Sequence, residues 1–270
     1  MPTTSELRPM ALYADGVQIA DGARLHLQGR ATMSCSADRW TLTLTGYNDA
    51  DLSALRRAAL VTVTAEEQSA VAQGAVEDLV TEARNGIGTC TVVLADGAAF
   101  CRGFCSVAIR KGTTLDESLH TLLAHCDAPL PLVTPMIAGS RFTRGQAFFG
   151  RTVHAVRELA KSAGYRAYVT HGGLYLAKRG LSPAVLRISE DMLLDTPTRL
   201  DGVTILKTAV TGFQPGHCLI LPGESNGATY RVIAQAIDAD SYSGAWACET
   251  VLLDEDAMAA GQKNDWEGET

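Results

Sequence analysis

Polar and apolar positions alternate strictly along Trp40-Thr-Leu-Thr-Leu-Thr45, placing Trp40, Leu42 and Leu44 on one face and threonines on the other. A period of two is that of a half-buried strand. Leu60-Val-Thr-Val-Thr64 and Thr89-Cys-Thr-Val-Val-Leu94 predict further strands, rich in β-branched residues. Asp96-Gly97 is a turn signal. Between the first two strands, Asn48 to Arg57 loses the alternation and predicts a short capped helix. Short strands with turn signals between them predict a small barrel or sandwich over residues 1–110.

The period changes over residues 111–180. Thr114-Leu-Asp-Glu117 is a capping box, in which the Thr114 hydroxyl accepts from the Glu117 amide and the Glu117 carboxylate accepts from the Thr114 amide. Leu115, Leu119, Leu122, Leu123 and Cys126 then recur at helical spacing, and Pro129, Pro131 and Pro135 come after the helix. A second helix is predicted from about Arg151 to Ala163, with Val153, Val156, Ala160 and Ala163 in one stripe and Gly164 at the position of a C-terminal glycine cap. Tyr165 to Thr170, the turn His171-Gly-Gly173, and Leu174 to Lys178 predict a hairpin. From residue 181 the strand pattern returns: Val203 to Val210, His217 to Leu221, Tyr230 to Ala234 and Trp246 to Leu253. Phe213-Gln-Pro-Gly216 is a turn, and Pro222-Gly223 opens a turn-rich loop to Gly227. The tail after Asp254 is acidic and polar and is expected to fray or to dock on a partner.

Composition narrows the function. The formal net charge is −7, which argues against a nucleic-acid binder held by phosphate neutralisation. Met1 to Ala20 lacks the basic and apolar regions of a secretory signal. The longest weakly charged stretch, Thr121–Gly139, holds Asp127 and three prolines, whereas a spanning helix needs about 20 apolar residues. No membrane contact is expected, and the chain is expected to be made and folded in a cytoplasm. Seven irregularly spaced cysteines (Cys35, Cys90, Cys101, Cys105, Cys126, Cys218 and Cys248) read as small buried apolar residues rather than a disulfide framework.

Candidate chemistry is thin. Cys101 and Cys105, with His120, His125 and Cys126 downstream, offer thiols and imidazoles, but the spacing is not that of a zinc knuckle and the two histidines point in different directions on their helix. His171-Gly-Gly173 is similar to an oxyanion-hole motif, yet lies where a hairpin turn needs positive φ. Asn85-Gly86-Ile87-Gly88 reads as a turn ahead of a strand, with no Lys-Ser/Thr after it. The acid pairs Asp49/Asp51 and Glu66/Glu67 read as caps or solvated faces, and Arg157, Lys161, Lys178 and Arg179 form too small a basic cluster for nucleic acid. No catalytic, cofactor-binding or metal residues are assigned, and no cofactor is expected. The chain is expected not to be an enzyme.

Three ordered segments resemble the baseplate and tail hub family of tailed phages, related to late control protein D and to hubs of contractile injection machines. They are Trp40 to Leu52 with Val71 to Asp78 (a strand, a short helix and a Gly-x-Val strand); Gly150 to Gly164 with its hairpin; and Thr196 to Ile205, Gln214 to Leu219, Tyr230 to Val232, Trp246 and Glu249. The chain departs from the pattern at His217, where hubs tend to be acidic.

The resemblance implies an α+β, mainly β fold: two small tube-like β-barrel domains, at 1–110 and 181–255, flanking an α/β helix–hairpin segment at 111–180, with an acidic tail at 256–270. It implies a homotrimer whose six barrels imitate a six-fold ring and join the tail tube protein to the central spike. Other baseplate proteins and the tape measure protein are the further partners implied. DNA would pass through the lumen without specific binding, and the protein would reside in the virion tail. The alternatives are a tail-associated cell-wall hydrolase, which needs convergent acids or a Cys/His pair, and a minor tail binding module, which needs an exposed aromatic patch.

Overall fold

The alternation that predicts strands also orders the core. A computed structural model describes residues 10–65, 69–84, 87–134, 141–178, 180–200, 202–209, 212–223, 228–244 and 246–255. Glu66, Glu67, Asn85, Gly86, Pro135, Arg179, Asp201, Val210, Gly227, the first nine residues and the tail from Asp256 lie outside them. The first β region comprises β1 (Met10–Ala14), β2 (Val17–Ile19), β3 (Arg24–Thr32), β4 (Asp38–Thr45), helix α1 (Asp49–Arg57), β5 (Val61–Ala65), β6 (Ser69–Arg84) and β7 (Ile87–Asp96). Trp40, Leu42 and Leu44 of β4 are buried, and so are Cys90, Val92 and Leu94 opposite them on β7. Helix α1 starts at the predicted Asn48, in a reciprocal capping box with Asp51. Strand β6 is long enough to serve twice: its first half pairs with β5, its second with β7. Where it crosses, a Cβ on Gly74 would sit 2.6 Å from the Ala95 backbone, so the Gly-x-Val strand needs its glycine there.

The middle of the chain holds α2 (Ala98–Arg102), β8 (Phe104–Ile109), α3 (Leu115–Leu123), β9 (Gln146–Arg151), α4 (Thr152–Ser162), β10 (Arg166–Thr170) and β11 (Gly173–Ala177). Both predicted helices form, and the capping box at Thr114 is present. Their buried stripes pack with β8, β9 and the β10–β11 hairpin in a second hydrophobic cluster running from Phe100 to Leu176. Helix α2 and the β8–β9 ribbon have no counterpart in the sequence pattern. The turn predicted at Asp96-Gly97 forms, with Gly97 at φ 67°, and leads from β7 into α2.

The last part supplies β12 (Val185–Arg187), a 3₁₀ turn at Glu190–Met192, β13 (Thr198–Leu200), β14 (Val203–Thr208), β15 (Cys218–Ile220), β16 (Tyr230–Asp240) and β17 (Trp246–Asp254). Together with the first β region these make one large, mainly antiparallel sheet, ordered β13-β14-β17-β16-β3-β4-β7-β6-β5-β1-β2, with β15 also on β16 and β12 beside β15. The chain is therefore α+β, mainly β.

The seam is the β16–β17 hairpin. Near its base, Tyr230, Val232 and Leu252 pack with Ile188, Leu206, Phe213, Leu219 and Leu221. Near its tip, Ile237, Ala239, Trp246 and Cys248 belong to the cluster of Leu25, Leu27, Trp40, Leu42 and Leu44. The change of allegiance falls at a register shift between Val232 and Ala234. Beyond it, β16 bonds to β3 from Ala234 opposite Thr32 to Asp240 opposite His26. A bulge adds twist and turns a side chain out of the ladder. The residue released, Ile233, accepts a hydrogen bond at its carbonyl from the Met33 amide at 2.8 Å and packs with Met33, Tyr168 and Ala177.

Trp246→Ala should therefore cost about 3–5 kcal/mol, the usual loss for a buried aromatic, and the damage should appear far away in sequence. Amide exchange is expected to accelerate in β3 and β4. Acceleration confined to the residues after Leu181 would show that the seam does not couple the two β regions.

Candidate functional site

The residues with chemical potential do not converge. Cys101 lies at the end of α2, its thiol donating to the Cys35 carbonyl at 3.5 Å. Cys105 is buried on β8, opposite Cys126, while His120 and His125 face solvent on and beyond α3. The His120 ring is 3.7 Å from Asp116, and His125 Nδ1 is 2.8 Å from the Thr121 carbonyl. Among the described residues no three His, Cys, Asp or Glu side chains are grouped so that they could hold a metal ion. Asp51 caps α1 and its carboxylate also accepts from the Ala20 amide at 2.9 Å. Lys178 Nζ stands 5.2 Å from the Tyr165 ring centre.

His171-Gly-Gly173 forms the β10–β11 turn, with His171 at φ 44° and Gly172 at φ 65°. The turn is clamped from the first β region: the Gly172 amide donates to both Asp96 carboxylate oxygens, at 2.9 and 3.1 Å. Asp96 stands directly opposite Asp38 across the β4–β7 ladder, and both are 4% exposed. Asp38 in turn accepts from the Thr32 amide at 2.9 Å. Two carboxylates this close and this dry do not both ionise readily. Burial, reinforced by Asp96, pushes the Asp38 carboxyl up to about 8, against the pull of its Thr32 hydrogen bonds. Burial pushes Asp96 up to about 6, against the bonds it accepts from the turn. Burial also pulls His171 down to about 4, so it stays neutral beside them. Below this clamp a groove of about 430 Å³ runs between β6, α2, Pro129-Leu130 and the turn.

A second fastening lies on the other side of the hairpin. Arg231, 1% exposed, reaches across from β16 to three carbonyls, those of Gly216, Lys178 and Leu181, each at 3.1 Å. Its guanidinium also pairs with Glu255, whose other oxygen accepts from the Gly180 amide at 3.0 Å. One side chain thereby holds the exit of the hairpin unit, the turn before β15 and the end of β17. Sequence reading missed Asp38, Asp96, Arg231 and Glu255, because each looks like an ordinary surface charge. Asp38 and Asp96 flank alternating strands on the inward side of the count, and that parity was the available signal.

On the outer surface Phe149, 83% exposed, meets Phe104 edge-to-face with ring centres 4.8 Å apart, and the exposed Tyr242 ring lies 4.9 Å from the Arg24 guanidinium.

No family model matches the sequence, and no curated protein matches it. Solved structures do. The chain is similar to the 43 kDa tail protein of prophage MuSo2 from Shewanella oneidensis, with TM-score 0.63 and 12% identity over 93% of this chain and 99% of that one. It is similar to the tail protein from Neisseria meningitidis MC58, with TM-score 0.60 and 12% identity over 92% and 97%. It is also similar to the E. coli c3393 protein, a component of the type VI secretion system described as structurally similar to the T4 tail proteins gp27 and gp5, with TM-score 0.58 and 10% identity over 90% and 76%. At such identities the likeness is one of fold. The chain has the fold of phage tail proteins and of this secretion component.

The fastenings predict two outcomes. Arg231→Met strands the Glu255 carboxylate and three carbonyls, and should cost about 3–5 kcal/mol by chemical denaturation. The second concerns pH. The unfolded chain ionises Asp38 near pH 4, the folded chain near 8. Between those values the folded state holds one extra proton, so the contribution is full below pH 4 and is lost as pH rises. His171 acts in the opposite sense, but only below about pH 6.5. From about pH 6.5 to 8 stability should therefore fall by about 1.4 kcal/mol per pH unit, and Asp38→Asn should flatten that slope. A wild-type curve already flat there would show Asp38 to be ionised in the folded chain.

Proposed function

We propose that the chain is a structural hub of a phage or phage-like tail, a homotrimer that joins a six-fold tail tube to a three-fold central spike. In this reading each subunit supplies two tube-like barrels, one from residues 1–110 and one from 181–255, with the helix–hairpin segment between them. Three chains then present six barrels to the tube protein and a three-fold axis to the spike. Other baseplate proteins and the tape measure protein are the remaining partners. The protein resides in the virion tail after manufacture in the host cytoplasm. It lines the channel, where a net negative charge repels passing DNA. It has no catalytic task.

One observation carries the reading beyond the shared fold. The β16–β17 hairpin forms part of both β regions, so β15 and β3 are fastened to the same strand. A ring in which each subunit counts twice needs its two halves held at a constant angle, and a shared strand does that where a flexible linker would not. The exposed Phe104–Phe149 pair favours a second reading, a minor tail binding module, which requires no particular symmetry.

Native mass spectrometry of the purified chain, with electron cryo-microscopy of the particles, separates the two. A trimer with six barrels around a central channel is expected. A monomer at micromolar concentration that stays monomeric with tube and spike proteins added would overturn the hub reading.

A further inference from the structure

Cys105 and Cys126 stand opposite each other in an isolated antiparallel bridge, on the side of β8 away from β9. The Asp127 amide donates to the Phe104 carbonyl at 3.3 Å, one residue outside the pair on each strand. That bond defines a non-hydrogen-bonded antiparallel pair, in which Cα atoms stand about 4.5 Å apart and side chains share a face. Disulfides take Cα separations of roughly 4.4–6.8 Å, a range that includes the spacing usual for such a pair. A second bond, from the Phe104 amide to Asp127 Oδ2 at 3.3 Å, holds the register. Both thiols are free in the structure; Cys105 is buried and Cys126 partly exposed.

We propose that Cys105 and Cys126 form a disulfide when the chain leaves a reducing compartment and meets a small organic disulfide. The Cys126 thiolate, the accessible one, attacks one sulfur of the reagent. This forms a mixed disulfide and expels one small thiolate. The Cys105 thiolate then attacks Cys126 Sγ, forms the protein S–S bond and expels the second thiolate. Two protein thiols are oxidised, one external disulfide is reduced to two thiols, and the protons released by the cysteines go to the departing thiolates. Burial raises the thiols of both close pairs, and pushes the Cys35 thiol up to about 12 and the Cys101 thiol up to about 11, so that pair has little thiolate with which to compete. The bond closes a loop containing all of α3 and pins its C-terminal end to the β8–β9 ribbon. It does not depend on the hub reading, because it concerns a single folded chain.

Purified protein, fully reduced and then held with oxidised glutathione at about pH 8, provides the test. Denatured thiol titration should fall from seven to five. Peptide mapping without reductant should return the Cys105–Cys126 peptide, and Tm should rise by about 5–10 °C, reversibly on adding dithiothreitol. Cys126→Ser, at the partly exposed position, should keep the fold, retain all its remaining thiols and show no Tm rise; Cys105→Ser provides the reciprocal variant. Unchanged thiol content, a stable glutathione adduct on Cys126, or a mapped bond between Cys35 and Cys101 would each overturn the proposal.

Discussion

The structure depends on the ladder between β16 and β3. Seven residues of β16, from Ala234 to Asp240, pair with β3, while before the bulge Tyr230 and Arg231 carry β15 on that side of the strand. Remove that ladder and, among the described residues, no strand pairing joins the two sheets; only the flanking backbone bonds from Met33 to Ile233 and from Ser241 to Leu25 remain. The bulge at Ile233 lets one strand serve both: it steps the register, retwists the chain, and turns a side chain towards the hairpin unit. The third region is thus gathered at the same point, with Met33, Tyr168 and Ala177 packed round Ile233.

The polar fastenings are arranged around this seam, and they differ in kind. Arg231 and Glu255 are a buried ion pair whose remaining donors and acceptor are satisfied by backbone. Such pairs add little over apolar packing but punish any loss of one partner. They specify arrangement more than they add stability. Asp96 uses its carboxylate as a bracket for a turn from another region, and Asp38 beside it raises the cost of charge at that point. Stability at the second fastening falls as pH rises through the range in which its buried carboxyls ionise.

Much of the fold was legible because it rests on local periodicity. The alternation of Trp40, Leu42 and Leu44, the capping boxes at Asn48 and Thr114, and the glycine turn at His171 each declare themselves within a few residues, and the structure contains all of them. The part that was not legible is non-local. The β8–β9 ribbon pairs strands separated by α3, and nothing in Phe104 to Ile109 announces its partner. Asp96-Gly97 carries the signature of a turn and bends the chain as one, yet the helix after it is decided by the burial of Phe100. Trp246 reads as part of a last strand; that its ring belongs to the first core is set by the length of β16. The fastenings are hidden for the same reason: Asp38, Asp96 and Arg231 are buried only by regions distant in sequence. The role in a tail was approached through ordered resemblance, and the fold agrees with it at the level of tail proteins.

The β16–β17 hairpin has a consequence for biosynthesis. A ribosome delivers the strands of the first β region well before β16, and β3 has no partner on its outer side until β16 emerges. Until then β3 presents an open edge above the Trp40 cluster, the kind of surface that recruits other strands. The arrival of β16 is what seals the first β region, so a chain cut before β16 is left with an adhesive edge rather than a shorter version of the same protein.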